Sequence, residues 1–130
     1  MAAAPNGIKI LIVEDEAPLR NAMTDILTFE GFTVLQAKNG LEGLELALRE
    51  HPSMILLDLV MPVMDGLTML EKLRQDEAFG KGAAVILLTN INDPDKVAQA
   101  TEAGSYDFLV KSDWHIEDVV KRIKERLGLP

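Results

Sequence analysis

Met54-Ile55-Leu56-Leu57-Asp58 is the stretch that decides the fold. Four apolar residues in a row, closed by a carboxylate, read as a strand covered on both faces that ends at a polar rim. The same design recurs along the chain. Residues 8–13 run straight into Glu14-Asp15, Val85-Ile86-Leu87-Leu88 into Thr89, and Phe108-Leu109-Val110 into Lys111. A fifth candidate, Thr33-Val34-Leu35-Gln36-Ala37, alternates polar and apolar residues and suits a sheet edge.

Helical patterns separate these runs. Pro18 is placed early in a first helix whose face carries Leu19, Met23, Ile26 and Leu27, and Gly31 ends it. Asn39 caps a second helix with Leu41, Leu44, Leu48 and Ala47 on its expected inward face. A third begins near Leu67 and carries Leu70 and Leu73. Asp93-Pro94 opens a fourth toward Ala103-Gly104, and Asp113 is the expected cap of a fifth. That last helix has Ile116, Val119, Val120, Ile123 and Leu127 in one stripe before Gly128. Five strands alternating with helices imply right-handed crossovers and an α/β fold. The expectation is a doubly wound, five-stranded parallel sheet with five helices, flavodoxin-like, in strand order 2-1-3-4-5.

In that order, ligands sit at the carboxyl ends of the strands, where the first and third lie side by side. Those two strands deliver Glu14, Asp15 and Asp58. Carboxylates gathered in a partly dry site repel one another unless a cation sits among them. Mg²⁺, a hard ion that seeks oxygen ligands, suits such a place. With the Thr89 hydroxyl and the Lys111 ammonium at neighbouring strand ends, the set reads as a phosphoryl-handling site.

The bulk numbers narrow the classes. A chain of 130 residues with 48% hydrophobic content is expected to form one domain with an adequate core. A formal charge of −8 argues against nucleic acid as a direct partner. No apolar run approaches the roughly 18 residues of a membrane span. The chain has no cysteine, which excludes thiolate metal sites and Cys nucleophiles. Residues 1–7, which begin Met-Ala-Ala-Ala-Pro, read as a flexible leader before a single domain over 8–130, with a cytoplasmic setting by default.

Four fragments in register carry a family resemblance: Ile10-Leu11-Ile12-Val13-Glu14-Asp15-Glu16, Leu57-Asp58-Leu59-Val60-Met61-Pro62-Val63-Met64-Asp65-Gly66, Leu88-Thr89, and Ala103-Gly104 through Lys111. Over residues 8–127 the sequence resembles the receiver domain of two-component response regulators, of the chemotaxis-regulator-like kind. The resemblance implies a phosphorylation switch rather than an enzyme with a separate substrate. Asp58 would be the phosphoacceptor, attacking the phosphohistidine of a histidine kinase or phosphotransfer protein as a carboxylate nucleophile. Glu14 and Asp15 would hold Mg²⁺, Asp15 more directly, with Asp58 and the backbone carbonyl of Val60 completing the protein ligands. Thr89 would be the switch hydroxyl, and Lys111 would pair with the carboxylate and then with the phosphoryl group. Phe108, three positions before Lys111, occupies the place of the aromatic switch residue, with a plain core residue as the competing reading; Tyr106 is out of that register.

The family's signalling habits imply a downstream protein target or output domain. They also allow a homodimer through the last two helices and the strand between them. Some positions depart from the family pattern. Ser112 follows Lys111 where proline is usual, so no slow isomerisation is expected there, and Asn90 is larger than the usual residue after Thr89. Val60 and Ile91, each two positions beyond a site residue, position no water, which implies a long-lived phosphoryl state.

Two rival classes are a scaffold that works without phosphorylation and an aspartyl phosphotransferase or phosphatase. The first is disfavoured because every acid, the Thr and the Lys are present. The second would want a second Asp two residues after Asp58, where Val60 stands. Other features read as structure. Gly80-Lys81-Gly82 lacks P-loop spacing and reads as a turn. His51 and His115 are isolated, and Met54, Met61, Met64 and Met69 suit core and loop packing. Lys121, Arg122, Lys124 and Arg126, offset by Glu117, Asp118 and Glu125, make a solvated face on the last helix.

Overall fold

Successive residues of each inner strand face opposite layers of helix, and that alternation explains the continuous apolar runs. The computed structural model describes residues 7–89, 94–102, 107–110 and 115–129. In chain order the elements are β1 (Lys9–Val13), α1 (Ala17–Phe29), β2 (Thr33–Ala37), α2 (Gly40–Glu50), β3 (Met54–Asp58), α3 (Gly66–Arg74), β4 (Val85–Thr89), α4 (Pro94–Glu102), β5 (Phe108–Val110) and α5 (Ile116–Leu127). A single 3-10 turn, Gly80–Gly82, precedes β4. The sheet order is β2-β1-β3-β4-β5 with every pairing parallel, as the alternation of runs implied.

Leu11, Val13, Ile55, Leu57, Val85 and Leu87 pack with Ala47 of α2 and with Met69, Leu70 and Leu73 of α3. Their neighbours Ile10, Ile12, Met54, Leu56, Ile86 and Leu88 pack on the other face with Met23 and Leu27 of α1 and with Val119, Val120 and Ile123 of α5. The four methionines named from sequence are indeed packing residues, Met54 and Met69 fully buried. The alternating strand β2 is a sheet edge, with its first and fourth residues exposed.

Two local readings need correction. Of the expected inward face of α2, Ala47 is buried and Leu44 packs on the core, but Leu41 and Leu48 are 44% and 38% exposed, and Gly40 and Gly43 are buried instead. The cause is close approach to the sheet: a Cβ at Gly43 would lie 2.8 Å from a Val13 methyl and 3.0 Å from the Met69 sulfur. The cap of α5 is His115, whose N–H donates to Asp118 Oδ2 at 2.8 Å, and not Asp113. Asp58 and Thr89 are the last residues of β3 and β4, and beyond Asp58 the Leu59 N–H still donates to Leu88 O at 3.2 Å.

The caps at Asn39 and the stripe of α5 are as expected: Asn39 Oδ1 accepts from Glu42 N–H at 2.9 Å. The basic face of α5 is partly engaged within the molecule. Arg122 and Arg126 both pair with Asp107, the latter at 3.3 Å, and Lys124 reaches Glu30 at 3.4 Å. His51 ends α2 in a left-handed conformation and stacks on Phe79 at 4.6 Å between ring centres.

Candidate functional site

Strand register places the acids before any side chain is considered. Val13 pairs with both Ala37 and Leu57, so Glu14 and Asp58 leave neighbouring strands at the same level. Asp58 stands opposite Leu88, and Thr89, one step further, stands opposite Val110. The ends of β1, β3 and β4 thus meet on one edge of the sheet, with the β5 end beside them.

Glu14, Asp15 and Asp58 each offer a carboxylate oxygen within 4.8 Å of the other two. Glu14 is fully buried and Asp58 is 3% exposed, while Asp15 opens to solvent. Two buried carboxylates with an exposed third form an oxygen-only donor set with one open side. That chemistry fits a hard divalent ion such as Mg²⁺, which binds through a few carboxylates and keeps part of its water. Glu14 Oε1 accepts from the Glu16 N–H at 3.2 Å, and Asp58 Oδ1 accepts from the Val60 N–H at 3.2 Å. The start of α1 directly after these acids adds the favourable positive end of a helix dipole.

The β3–α3 loop is shaped around Asp58. Gly66 opens α3 so close to the strand that an added Cβ would lie 2.1 Å from Asp58 O, and its N–H donates to Leu59 O at 3.0 Å. Asp65 caps the helix by accepting from Thr68 N–H at 2.8 Å. Val60 and Val63 project into solvent at 54% and 78% exposure, and Val63 has φ 68 in the left-handed region.

Of the residues singled out from sequence, Glu14, Asp15 and Asp58 are brought together. Thr89 ends β4 at the same edge, its side chain lying outside the described residues. Lys111 lies outside them too, as do Asn90, Ile91, Asp93, Tyr106, Ser112 and residues 1–6. Phe108 is half-buried, packs against the α2/α3 core layer and borders a surface depression of about 340 Å³ with Lys121 and Arg122.

Sequence reasoning passed over Arg20. Its Nη1 donates to Glu14 O at 2.8 Å and to Asp15 O at 3.4 Å. The available signal was directional: side chains on a helix lean toward its N-terminus, so a long residue in the first turns of α1 reaches back over the loop before it.

Comparison with known proteins agrees with this geometry. Residues 10–124 match the response regulator receiver domain. The chain is 36% identical to the chemotaxis protein CheY of Bacillus subtilis over 121 residues, covering 92% of this chain and 98% of that one. It is 30% identical to sporulation initiation phosphotransferase F of the same organism, covering 93% and 94%. Among solved structures, the CheX-CheY-BeF3-Mg²⁺ complex from Borrelia burgdorferi superposes with a TM-score of 0.81 at 28% identity, covering 92% of this chain and 89% of that one. Other curated relatives are longer, and the chain spans 41% to 52% of the transcriptional regulators that it matches. From fold, site and sequence together, the chain belongs to the response regulator receiver domain family.

Proposed function

We propose that the chain is a phosphorylation-dependent signalling switch that receives a phosphoryl group on Asp58. The observation that carries this reading is the convergence of Glu14, Asp15 and Asp58 oxygens within 4.8 Å at the carboxyl edge of a receiver-type sheet. Glu14, Asp15, Asp58 and the Val60 carbonyl would hold Mg²⁺. When bound, the ion offsets charge on the phosphoryl oxygens. A solved relative crystallised as a Mg²⁺ complex supports that assignment.

An Asp58 carboxylate oxygen attacks phosphorus in line with the departing group. With a phosphohistidine donor the P–N bond breaks, and the imidazole leaves with the electron pair and takes up a proton. Lys111 pairs with the modified side chain, and Thr89 donates its hydroxyl to a phosphoryl oxygen. Phe108, half-buried beside α5, follows Thr89 inward. The phosphoryl group selects between two packings by differential contacts, and a free-energy difference of a few kcal/mol between those contacts suffices.

The donors are a histidine kinase or a phosphotransfer protein, and the readout is a protein target or an output domain. A homodimer through α4, β5 and α5 belongs to the same proposal, as do a leader at 1–7, a single receiver domain over 8–130 and a cytoplasmic setting. Among the described residues no helix is long and apolar enough to cross a membrane. No turnover of a separate substrate is proposed. The exposed Val60 side chain beside Asp58 supplies no group to position an attacking water, in keeping with slow hydrolysis of the acyl phosphate.

The test is incubation with Mg²⁺ and acetyl phosphate, followed by intact mass, with an Asp58→Asn control. A single Mg²⁺-dependent phosphoryl adduct that the control lacks is the expected result. An adduct that persists in the control would move the acceptor elsewhere.

A further inference from the structure

Arg20 sits where a cation is poorly placed on two counts. It lies in the opening turns of α1, at the positive end of the helix dipole, and it brings positive charge toward a site read as binding a cation. Its contacts explain why it is there. The guanidinium donates to the main-chain carbonyls of Glu14 and Asp15, the two consecutive residues whose side chains enter the acidic set. It touches neither residue through the carboxylate in these contacts. It holds the backbone from which both project.

The anchorage runs deeper into the fold. The Arg20 N–H donates to Glu16 O at 2.9 Å, fixing the residue that caps α1. The Arg20 carbonyl accepts from Thr24 Oγ1 at 2.8 Å, and Gln36 of β2 donates to that same hydroxyl at 2.6 Å. The Glu14 N–H is fixed from the other side by Ala37 O at 3.0 Å. The turn carrying Asp15, which is exposed and so has little packing to orient it, is therefore clamped between α1 and β2.

We propose that Arg20 is a positioning residue for the metal site: it sets the geometry of Glu14 and Asp15 through their backbone, and thereby the affinity for a hard divalent cation. The inference rests on the metal-site reading above. Two effects oppose each other when the guanidinium is removed. Loss of repulsion would tighten cation binding, whereas loss of the clamp would weaken it; the 2.8 Å anchor to Glu14 O, backed by the longer 3.4 Å reach to Asp15 O, makes the clamp the larger effect.

The test uses the full chain with Mn²⁺ as probe, the free ion being counted by electron paramagnetic resonance, alongside urea unfolding of the metal-free proteins. Arg20→Met keeps the aliphatic stem and removes both contacts, which come from Nη1; Arg20→Lys keeps the charge and one reach to the carbonyls. The expected result is Mn²⁺ binding about tenfold weaker in Arg20→Met, as for loss of other groups that orient metal ligands, with substantial recovery in Arg20→Lys. Equal binding in Arg20→Met, even with a lower unfolding midpoint, would reduce Arg20 to a structural contact and overturn the proposal. Tighter binding would overturn it in favour of charge repulsion. Failure of the unaltered protein to bind Mn²⁺ would instead sink the metal-site reading, and this inference with it.

Discussion

Val63 holds a conformation that its side chain disfavours. A β-branched residue at φ 68 is strained, and at 78% exposure it recovers little through packing. Asparagine enters the left-handed region readily, so Val63→Asn is expected to raise stability by about 1 kcal/mol in urea unfolding. Asp76 makes a separate, pH-dependent contribution. Its Oδ2 accepts from the Gly80 and Phe79 N–H groups, both at 2.9 Å, and these bonds, with a smaller effect of His51, hold its carboxyl below the usual value of 3.8. The unfolded chain takes up that proton more readily than the folded one. The stabilisation is therefore complete above the unfolded value and fades as pH falls from there through the folded value. Asp76→Asn should lower the urea midpoint at pH 7 and show a shallower loss between pH 5 and pH 3 than the unaltered protein. An unchanged acid limb would show that the two turn bonds do not depend on the charge.

At the scale of elements, α2 separates what sequence could tell from what it could not. Strand ends were legible, because a continuous apolar run stopped by Glu14 or Asp58 marks the point where the sheet meets solvent or a ligand. The inward face of α2 was legible only at Leu44 and Ala47, because hydrophobicity ranks Leu41 and Leu48 above Gly43, while the packing distance admits no side chain at Gly43. Arg20 was missed for a related reason: it acts on main-chain carbonyls, which every residue has and no motif advertises. The cap of α5 was misplaced because Asp113 is a better cap by type than His115, yet Asp118 supplies the carboxylate from inside the helix. The α2 correction has a direct test. Gly43→Ala forces a methyl against Val13 and should cost about 1–3 kcal/mol by overpacking. Leu41→Gln, on the exposed side, should fall within about 0.5 kcal/mol of the unaltered protein. Thermal or urea unfolding of the two variants would give the reverse order if Leu41 faced inward.

Across the whole molecule, the proposed metal site would couple folding to cation concentration. Glu14 and Asp15 come from the end of β1 and Asp58 from the end of β3, so the three oxygens meet only when the central strands have paired. The unfolded chain offers no such cluster. An ion that binds the folded form alone stabilises it by RT ln(1 + [L]/Kd), about 1.4 kcal/mol at ten times Kd. For a chain of 130 residues, that corresponds to a rise of roughly 4–8 °C in Tm. Mg²⁺ added to chelator-treated protein should produce this rise, while Na⁺ at matched ionic strength should not, since screening alone acts on all exposed charges. Asp15→Asn is the informative control. Asp15 is solvent-exposed, so its replacement leaves the core intact, yet it removes one of the three negative charges. The variant should unfold near the Tm of the metal-free protein and respond only weakly to Mg²⁺. A full Mg²⁺ response in Asp15→Asn would place the ion elsewhere and detach metal binding from the edge where Asp58 stands.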